Sequence, residues 1–297
     1  MLGLELDEAG VVAVAVDAAG TVIARADADA QGDLAAAALR ALDQVQNSAA
    51  SSPGTVGIAA IHPDSPAIAA VVEQIALQHG GELNRHGAVL SGTAAAAAEA
   101  WIGAARGIKD VVFFAVSQHS TGGIVRDGVA LCGARGRAGS VAWLSLNPVE
   151  REDYRKIGCV EAEVAAAGIV RRMIWRIKAG DRSRVQDIVK DDLASMSVDH
   201  VLEAARSGDG VSISVVRDTA KYLGMAAANL VVVADPEVLV LGGFMASAAD
   251  LLLEPIRTEI ARRLPKTMME SLRIETAVLG VDAAAIGAAY LAAAALR

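Results

Sequence analysis

The same order of elements occurs twice along this chain. Two sets of three short apolar runs are found, at Leu2–Leu6, Val11–Val16 and Thr21–Ala26, and again at Val111–Val116, Gly122–Arg126 and Val129–Cys132. Segments whose apolar residues recur with the helical period follow each set. A meander of three strands followed by helices, present twice, predicts an α/β fold made of two similar lobes.

A polar segment, Arg106–Asp110, separates the two halves. We therefore predict an N-terminal α/β lobe over residues 1–106 and a C-terminal α/β lobe with helical insertions over residues 107–282. The final helix, residues 283–297, is expected to pack back on the first lobe. A chain of 297 residues is long enough for two such units, since domains commonly hold roughly 100 to 200 residues.

Composition and charge narrow the class of protein. The net charge of −8 argues against a nucleic-acid surface, which needs clustered Lys and Arg. The uncharged stretches 111–125 and 283–296 are shorter than the ~20 apolar residues of a membrane-spanning helix. The start of the chain lacks the basic and apolar segments of a signal peptide. Two cysteines, Cys132 and Cys159, form neither a disulfide framework nor a zinc motif. These features predict a cytoplasmic protein that does not contact membranes.

Four stretches in the second half are more specific than composition. They are Ala138-Gly139-Ser140, Gly158-Cys159-Val160-Glu161, the run from Asp235-Pro236-Glu237 to Gly242-Gly243, and Leu279–Ala289. In this order they resemble the ROK family of sugar kinases and sugar-responsive repressors. The resemblance implies the actin-like ATPase (sugar kinase) superfold, in which two ribonuclease-H-like lobes enclose an inter-lobe nucleotide cleft.

The general base of the family kinases has no counterpart in this sequence. In the family, the Asp of an Asn-Asp-Ala-Asn motif takes the proton from the sugar hydroxyl that attacks the γ-phosphate. The matching residues here are Ser91-Gly92-Thr93-Ala94, so the aspartate position is Gly92. An unassisted serine hydroxyl is a poor base near neutral pH, so Ser91 does not replace it. The resemblance therefore does not carry the catalytic residue over, and we predict none.

Both phosphate turns of the family are altered. The first turn reads Glu5-Leu6-Asp7-Glu8-Ala9-Gly10, with carboxylates where phosphate would approach. The second reads Ser117–Gly123 and keeps only the final two glycines. The resemblance leaves Gly122, Gly123, Gly242 and Gly243 as candidate nucleotide-contacting residues. Gly122-Gly123 is alternatively a turn at the entry to a strand, and Gly242-Gly243 is alternatively a strand-to-helix turn that needs positive φ.

The sugar-contacting residues are partly retained. Glu161 matches the family glutamate that contacts a sugar hydroxyl, whereas Ser140 and Trp143 replace a family Glu and a zinc-binding His. The predicted substrate-binding residues are Glu161, His119 and Ser140. Glu161 is alternatively a carboxylate placed at a helix N-terminus, and His119 a hydrogen-bonded structural residue. Of the three family zinc cysteines only Cys159 remains, so neither zinc nor another metal is expected.

Three functions follow from this pattern. The leading hypothesis is a non-catalytic ROK protein (a pseudokinase) that acts in ligand binding or regulation. Its ligand would be a small sugar or sugar derivative. The alternative is a divergent sugar kinase using ATP and magnesium, with Asp64 or Glu99 as the base. The third is the effector domain of a sugar-responsive regulator without its helix-turn-helix, since the sequence begins on the first strand. Direct DNA binding is not expected, and family relatives suggest a homodimer.

Overall fold

A computed structural model describes residues 1–49, 55–79 and 87–295. The strands are β1 Leu2–Asp7, β2 Gly10–Val16, β3 Val22–Asp29, β4 Val56–Ala60, β5 Val89–Leu90, β6 Val111–Val116, β7 Ser120–Arg126, β8 Val129–Ala130, β9 Val238–Gly243 and β10 Arg273–Thr276. The helices are α1 Leu34–Ala49, α2 Pro66–His79, α3 Ser91–Trp101, α4 Glu152–Ile157, α5 Cys159–Val164, α6 Ala166–Lys178, α7 Arg184–Ile188, α8 Val198–Arg206, α9 Gly210–Ala234, α10 Phe244–Ser247, α11 Ala249–Ala261, α12 Lys266–Ser271 and α13 Ala283–Ala294.

The strands form two five-stranded sheets, which confirms the predicted α/β class. Their orders are β3-β2-β1-β4-β5 and β10-β9-β6-β7-β8. In the first sheet, β1 is antiparallel to β2 and parallel to β4. Alternate residues of β1 face opposite sides of the sheet, and Leu2, Leu4 and Leu6 join α1 and α2 residues in one apolar core.

The chain divides into two compact units, and each is made of segments that are separated in sequence. One contains residues 1–113, 121–140 and 277–297, and the other contains residues 114–120 and 141–276. The predicted lobes 1–106 and 107–282 differ from these units, because residues 107–113, 121–140 and 277–282 belong with the first unit. The sequence pattern marks where the elements restart, whereas the assignment of residues 107–113, 121–140 and 277–282 to the first unit depends on tertiary contacts that the pattern does not report.

Helix α13 packs in the first unit on α3, β1 and β4. Glycines permit this approach: a Cβ placed on Gly3 would lie 1.9 Å from the Ala285 carbonyl oxygen, and one on Gly57 would lie 1.9 Å from that of Ala288. On α13 itself, a Cβ on Gly287 would lie 1.8 Å from the Ala94 carbonyl oxygen of α3. The packing of this helix therefore depends on backbone contacts that any larger residue would obstruct.

The helical period of the apolar residues predicts single helices over Val160–Lys178 and Val185–Met196, and both are interrupted in the structure. The expected helix Val160–Lys178 is two helices, α5 and α6, with Ala165 extended between them at ψ 161°. The Ala166 amide donates instead to the Ser117 carbonyl, at 3.0 Å. The expected helix Val185–Met196 ends at Ile188, because Lys190 and Asp191 adopt positive φ angles of 52° and 62°. Both interruptions depend on local backbone geometry that apolar periodicity does not report.

The sequence predicts no membrane-spanning helix, and the length and hydropathy of the helices in the structure can be compared with this prediction. Across the ranges given above, no helix has both the length and the apolar character needed to cross a bilayer.

Candidate functional site

Glu161 and His119, two of the predicted substrate-binding residues, lie together in the second unit. Glu161 is on α5 and is 9% exposed. One carboxylate oxygen accepts from the Ser120 backbone amide at 2.6 Å, and the other lies 2.9 Å from His119 Nδ1. The residues are 42 positions apart, so their contact arises from tertiary structure. The backbone amide of Ser120 is the partner that sequence reasoning does not anticipate.

Gly158 fixes the backbone that leads into Glu161. Its φ is 93°, a left-handed value that glycine adopts without strain. A Cβ at this position would lie 2.1 Å from the Ala142 carbonyl oxygen. Glycine at 158 is therefore required both by the backbone angle and by close packing, and it sets where α5 begins.

A carboxylate network holds the other end of this short helix. Glu163 is 5% exposed. It accepts hydrogen bonds from the Tyr154 hydroxyl, from Arg151 at 3.2 Å and from Arg172 at 2.8 Å. Arg172 also donates to the Thr219 hydroxyl on α9, at 2.9 Å. Burial and the Glu163 carboxylate raise the pKa of Tyr154, so the phenol stays protonated and donates. The network ties α5 to α4, α6 and α9 and thereby stabilises the position of Glu161.

The residues at the family zinc positions do not fit a zinc ion. Cys159 is buried with Tyr154, Ala162 and Leu146 in an apolar cluster. Trp143, at the family histidine position, carries no metal-ligating atom and is 58% exposed. Throughout the described ranges, no three His, Cys, Asp or Glu residues are grouped so that they could hold a metal ion. The Glu163 network organises this segment.

Two backbone amides of the altered phosphate turn already have acceptors. The Ser117 amide donates to the His119 carbonyl at 2.9 Å, and the Ser120 amide donates to Glu161. Phosphate binding by such a turn depends on amides that point at the ligand and have no other acceptor. The Ser117 and Ser120 amides are therefore already held by other acceptors, and nucleotide contact by this turn stays a prediction.

The Gly242-Gly243 pair ends strand β9 in the second unit. Gly243 has a φ of 62°, and a Cβ there would lie 2.1 Å from the Val116 carbonyl oxygen. Positive φ and close approach both demand glycine. These constraints account for Gly243 without any ligand, and nucleotide contact by the pair stays a prediction.

Gly92, at the position of the family base, is packed against backbone in the first unit. A Cβ on Gly92 would lie 2.2 Å from the Gly122 carbonyl oxygen and 2.4 Å from its amide nitrogen. The same contact surface includes Gly123, whose Cβ would lie 2.1 Å from the Gly92 carbonyl oxygen, and Gly139, whose Cβ would lie 2.4 Å from that of Gly122. The start of α3 therefore has no space for a catalytic side chain, and the predicted nucleotide residues Gly122 and Gly123 fill it with main chain.

Ser140, the third predicted substrate-binding residue, lies in the first unit and is exposed. Its hydroxyl donates to the Arg137 carbonyl at 2.8 Å. The Arg137 guanidinium pairs with Asp64 at 2.7 Å, and both side chains are exposed. Within its unit, Ser140 thus serves a local turn, and its role towards a ligand stays a prediction.

Glu5, in the first altered turn, is a partly buried carboxyl of β1. Burial raises its pKa to about 7, and the charges of Asp7 and Asp282 add to this effect. The neighbouring Ser91 hydroxyl offsets part of the shift. A carboxyl that ionises near neutral pH is a feature that sequence reasoning misses, because the burial that causes it is tertiary.

Glu5 makes stability depend on pH. Its folded pKa of about 7 exceeds the ordinary value of 4.5, so the unfolded state releases the proton first and stability falls as pH rises from about 4.5 to 7. The full cost, up to about 3 kcal/mol, is present above pH 7. We expect Glu5→Gln to raise the free energy of unfolding at pH 8 and to leave it nearly unchanged at pH 4.5, in urea titrations. Glu8→Gln, an exposed control, should change neither value; equal effects of the two variants would contradict the assignment.

Comparison with known proteins agrees with the motifs. The sequence model of the ROK family matches residues 91–295. The chain is 33% identical over 200 residues to a glucokinase of Halalkalibacterium halodurans, covering 66% of this chain and 60% of that protein. It is 27% identical over 180 residues to the DNA-binding transcriptional dual regulator NagC of Escherichia coli, covering 60% of this chain and 43% of the regulator. The matches thus span less than two thirds of these relatives.

A solved structure shows the same fold. A ROK family glucokinase from Streptomyces griseus, in complex with glucose and AMPPNP, superposes with a TM-score of 0.83 at 21% identity, covering 99% of each chain. The predicted fold class, two ribonuclease-H-like lobes of the actin-like ATPase superfold, is confirmed. With the family model matching two thirds of its length, this chain belongs to the ROK family.

Proposed function

We propose that this ROK protein binds a small sugar or sugar derivative and does not phosphorylate it. The observation that carries the proposal is the packing of Gly92 against Gly122, which leaves neither a base nor the space for one. General-base catalysis in phosphoryl transfer requires a carboxylate within hydrogen-bond reach of the attacking hydroxyl. One relative of this chain is named as a glucokinase and another as an N-acetylglucosamine repressor. Membership of the ROK family is therefore compatible with a kinase and with a protein that does not phosphorylate a sugar.

Glu161 is the residue proposed to contact the sugar. Each of its oxygens accepts one hydrogen bond from the protein, and a carboxylate oxygen can accept more than one. A sugar hydroxyl can therefore donate to it while Ser120 and His119 keep it in place. His119, whose side chain is 30% exposed, lies beside this carboxylate and is proposed to line the same site. A homodimer and a cytoplasmic location remain part of the proposal on family grounds.

The alternative, a divergent kinase, needs another base, and neither candidate is suitable. Glu99 is fully buried, and both its oxygens accept backbone amides. Asp64 is exposed, and its carboxylate is already paired with the Arg137 guanidinium at 2.7 Å. The non-catalytic proposal therefore agrees better with the structure than a kinase that relies on either residue.

Calorimetric titration tests the binding proposal. Glucose, N-acetylglucosamine, N-acetylmannosamine and xylose are titrated into the protein, and at least one is expected to bind. Glu161→Gln is expected to weaken that binding at least ten-fold, because a hydrogen bond to a charged group contributes about 1.5–3 kcal/mol. Glu150→Gln, which removes the same charge from an exposed ion pair with Arg155, should leave the dissociation constant unchanged. No heat with any of the sugars, or equal binding by Glu161→Gln, would reject Glu161 as a sugar ligand.

A turnover assay tests the absence of phosphoryl transfer separately. The protein is incubated with magnesium ATP and each sugar, and sugar phosphate is measured directly. We expect none above the level given by the Glu161→Gln protein purified in parallel. Stoichiometric sugar phosphate that persists through further purification would show that the chain is a kinase, whatever the binding data show.

A further inference from the structure

The first unit contains a cavity whose lining residues are not part of the proposed sugar site. Its volume is about 330 Å³. It is bounded by α3, the segment 106–109, the β7–β8 hairpin and α13. Ala97, Ala100 and Ala130 line it, and their small side chains leave the space open. The size is at the lower end of the range for small-molecule sites, which runs from about 300 to 1,000 Å³.

Two aromatic side chains form one wall of this cavity. The rings of Trp101 and Tyr290 are stacked, with centroids 4.7 Å apart and planes at 25°. Within residues 1–49, 55–79 and 87–295, the Trp101 indole N–H and the Tyr290 hydroxyl make no hydrogen bond, and neither is among the buried polar atoms without a partner, so both groups are accessible from solvent. Buried or half-buried Trp and Tyr ordinarily pair these groups. An aromatic surface with two spare polar groups is suited to a ligand that carries both a ring and polar atoms.

Two side chains that line the cavity are cationic. Arg106 and Lys109 line it, and no carboxylate in the described part of the chain does. Arg106 is exposed, and no ion pair joins it to any residue of those described ranges. The whole protein carries a net charge of −8, so a cavity lined by two cations departs from its surroundings. Arg in particular binds the oxygens of phosphate and carboxylate groups through its planar fork of donors.

We propose that this cavity binds a small organic anion that carries a ring, such as an aryl or glycosyl phosphate. The ring lies against the Trp101–Tyr290 pair, and the anionic group contacts Arg106 and Lys109. The site goes beyond the proposed sugar site, because it shares no residue with the His119–Glu161 pair. It would give the protein a second ligand of a different charge class.

Fluorescence of Trp101 tests the proposal. Trp143→Phe and Trp175→Phe, at positions 58% and 69% exposed, leave Trp101 as the reporter. Phenyl phosphate, inorganic phosphate and phenol are the probes, carrying ring and anion together, anion alone and ring alone. We expect a saturable fluorescence change with phenyl phosphate and at least ten-fold weaker binding of the other two. Inorganic phosphate binding as tightly as phenyl phosphate, phenol doing so, or no saturation with phenyl phosphate would each overturn the proposal.

Variants of the lining then locate the binding. Replacing both Arg106 and Lys109 with alanine is expected to weaken phenyl phosphate binding at least ten-fold, and Ala100→Leu is expected to abolish it by filling the cavity. Arg40→Ala removes an exposed cation of α1 in the same unit and should leave binding unchanged. An unchanged thermal midpoint shows that Ala100→Leu is folded; if that variant is unstable, the double alanine variant decides alone. Undiminished binding by the double variant would place the anion elsewhere and overturn the assignment.

Discussion

Placing an aspartate at position 92 is expected to unfold the protein rather than to create a kinase. The added Cβ would overlap the Gly122 carbonyl oxygen and amide nitrogen, at 2.2 and 2.4 Å. Both obstructing atoms are main chain, so relief requires the β7 backbone to move. Overpacking of this kind costs typically 1–3 kcal/mol, and the unpaired buried carboxylate costs several more. We expect Gly92→Asp to lose about 4 kcal/mol or more in urea titrations and to show no sugar-dependent ATP turnover.

Gly210→Asp is the matched control for this variant. Gly210 begins α9 and is exposed, and a Cβ added there would meet no atom within 4 Å. An aspartate at position 210 would lie in the first turn of α9, where the helix dipole favours a negative charge. Its stability should change by less than about 0.5 kcal/mol, as for surface substitutions generally. A stable Gly92→Asp protein that phosphorylates a sugar would show that α3 can open and that loss of the base alone separates this chain from a kinase.

Sequence reasoning identifies what the site lacks more readily than what it contains. The absence of a base is visible directly at Gly92, because the family motif is local. The mutual contact of Gly92, Gly122 and Gly139 is not, because these residues are brought together by the fold. The same limit applies to Glu161 and His119, which the sequence singles out one by one. Their pairing, and the Ser120 amide that completes it, depends on where the fold places the altered phosphate turn against α5.

Local pattern also determines which parts of the fold can be predicted. Elements with clear periodicity lie within one residue of the bounds that the pattern predicts, which are Leu2–Leu6 for β1, Thr55–Ile61 for β4 and Ala67–His79 for α2. The break at Ala165 escapes prediction because its cause is remote. The Ser117 carbonyl accepts a hydrogen bond from the Ala166 amide. The break leaves the Ala162 and Glu163 carbonyls without their helical donors, and the side chains of Arg171 and Arg172 donate to them instead.

The packing of α3 against α13 explains why so many alanines occur in this sequence. These helices approach so closely that Gly287 of one contacts the Ala94 carbonyl of the other. Alanine and glycine gain little from burial individually, since the hydrophobic contribution scales with apolar area. They gain instead from close backbone packing and from the small loss of side-chain entropy. The same small side chains that allow this approach leave the cavity beside Trp101 open.

Removing the Glu99 carboxylate is expected to be among the most damaging substitutions in the first unit. Glu99 is 0% exposed. One of its oxygens accepts from the Ala104 amide at 2.7 Å, and the other accepts from the Val278 and Leu279 amides at 3.0 Å each. The carboxylate thus joins the end of α3 to the segment that leads into α13, across a sequence separation of 180 positions to Leu279. Glutamine has one acceptor oxygen, so its NH₂ group must face backbone donors on one side.

We therefore expect Glu99→Gln to lower the free energy of unfolding by about 3 kcal/mol, since each buried donor left without an acceptor costs about 1–3 kcal/mol. Urea titration measures this loss. Asp64→Asn, the matched control, alters an exposed ion pair and should cost less than about 1 kcal/mol. If Glu99 were instead a catalytic base, Glu99→Gln would fold normally and abolish sugar-dependent turnover. A variant of unchanged stability would contradict the structural role, because the glutamine NH₂ group leaves at least one of the three buried backbone amides without an acceptor, at a cost in stability.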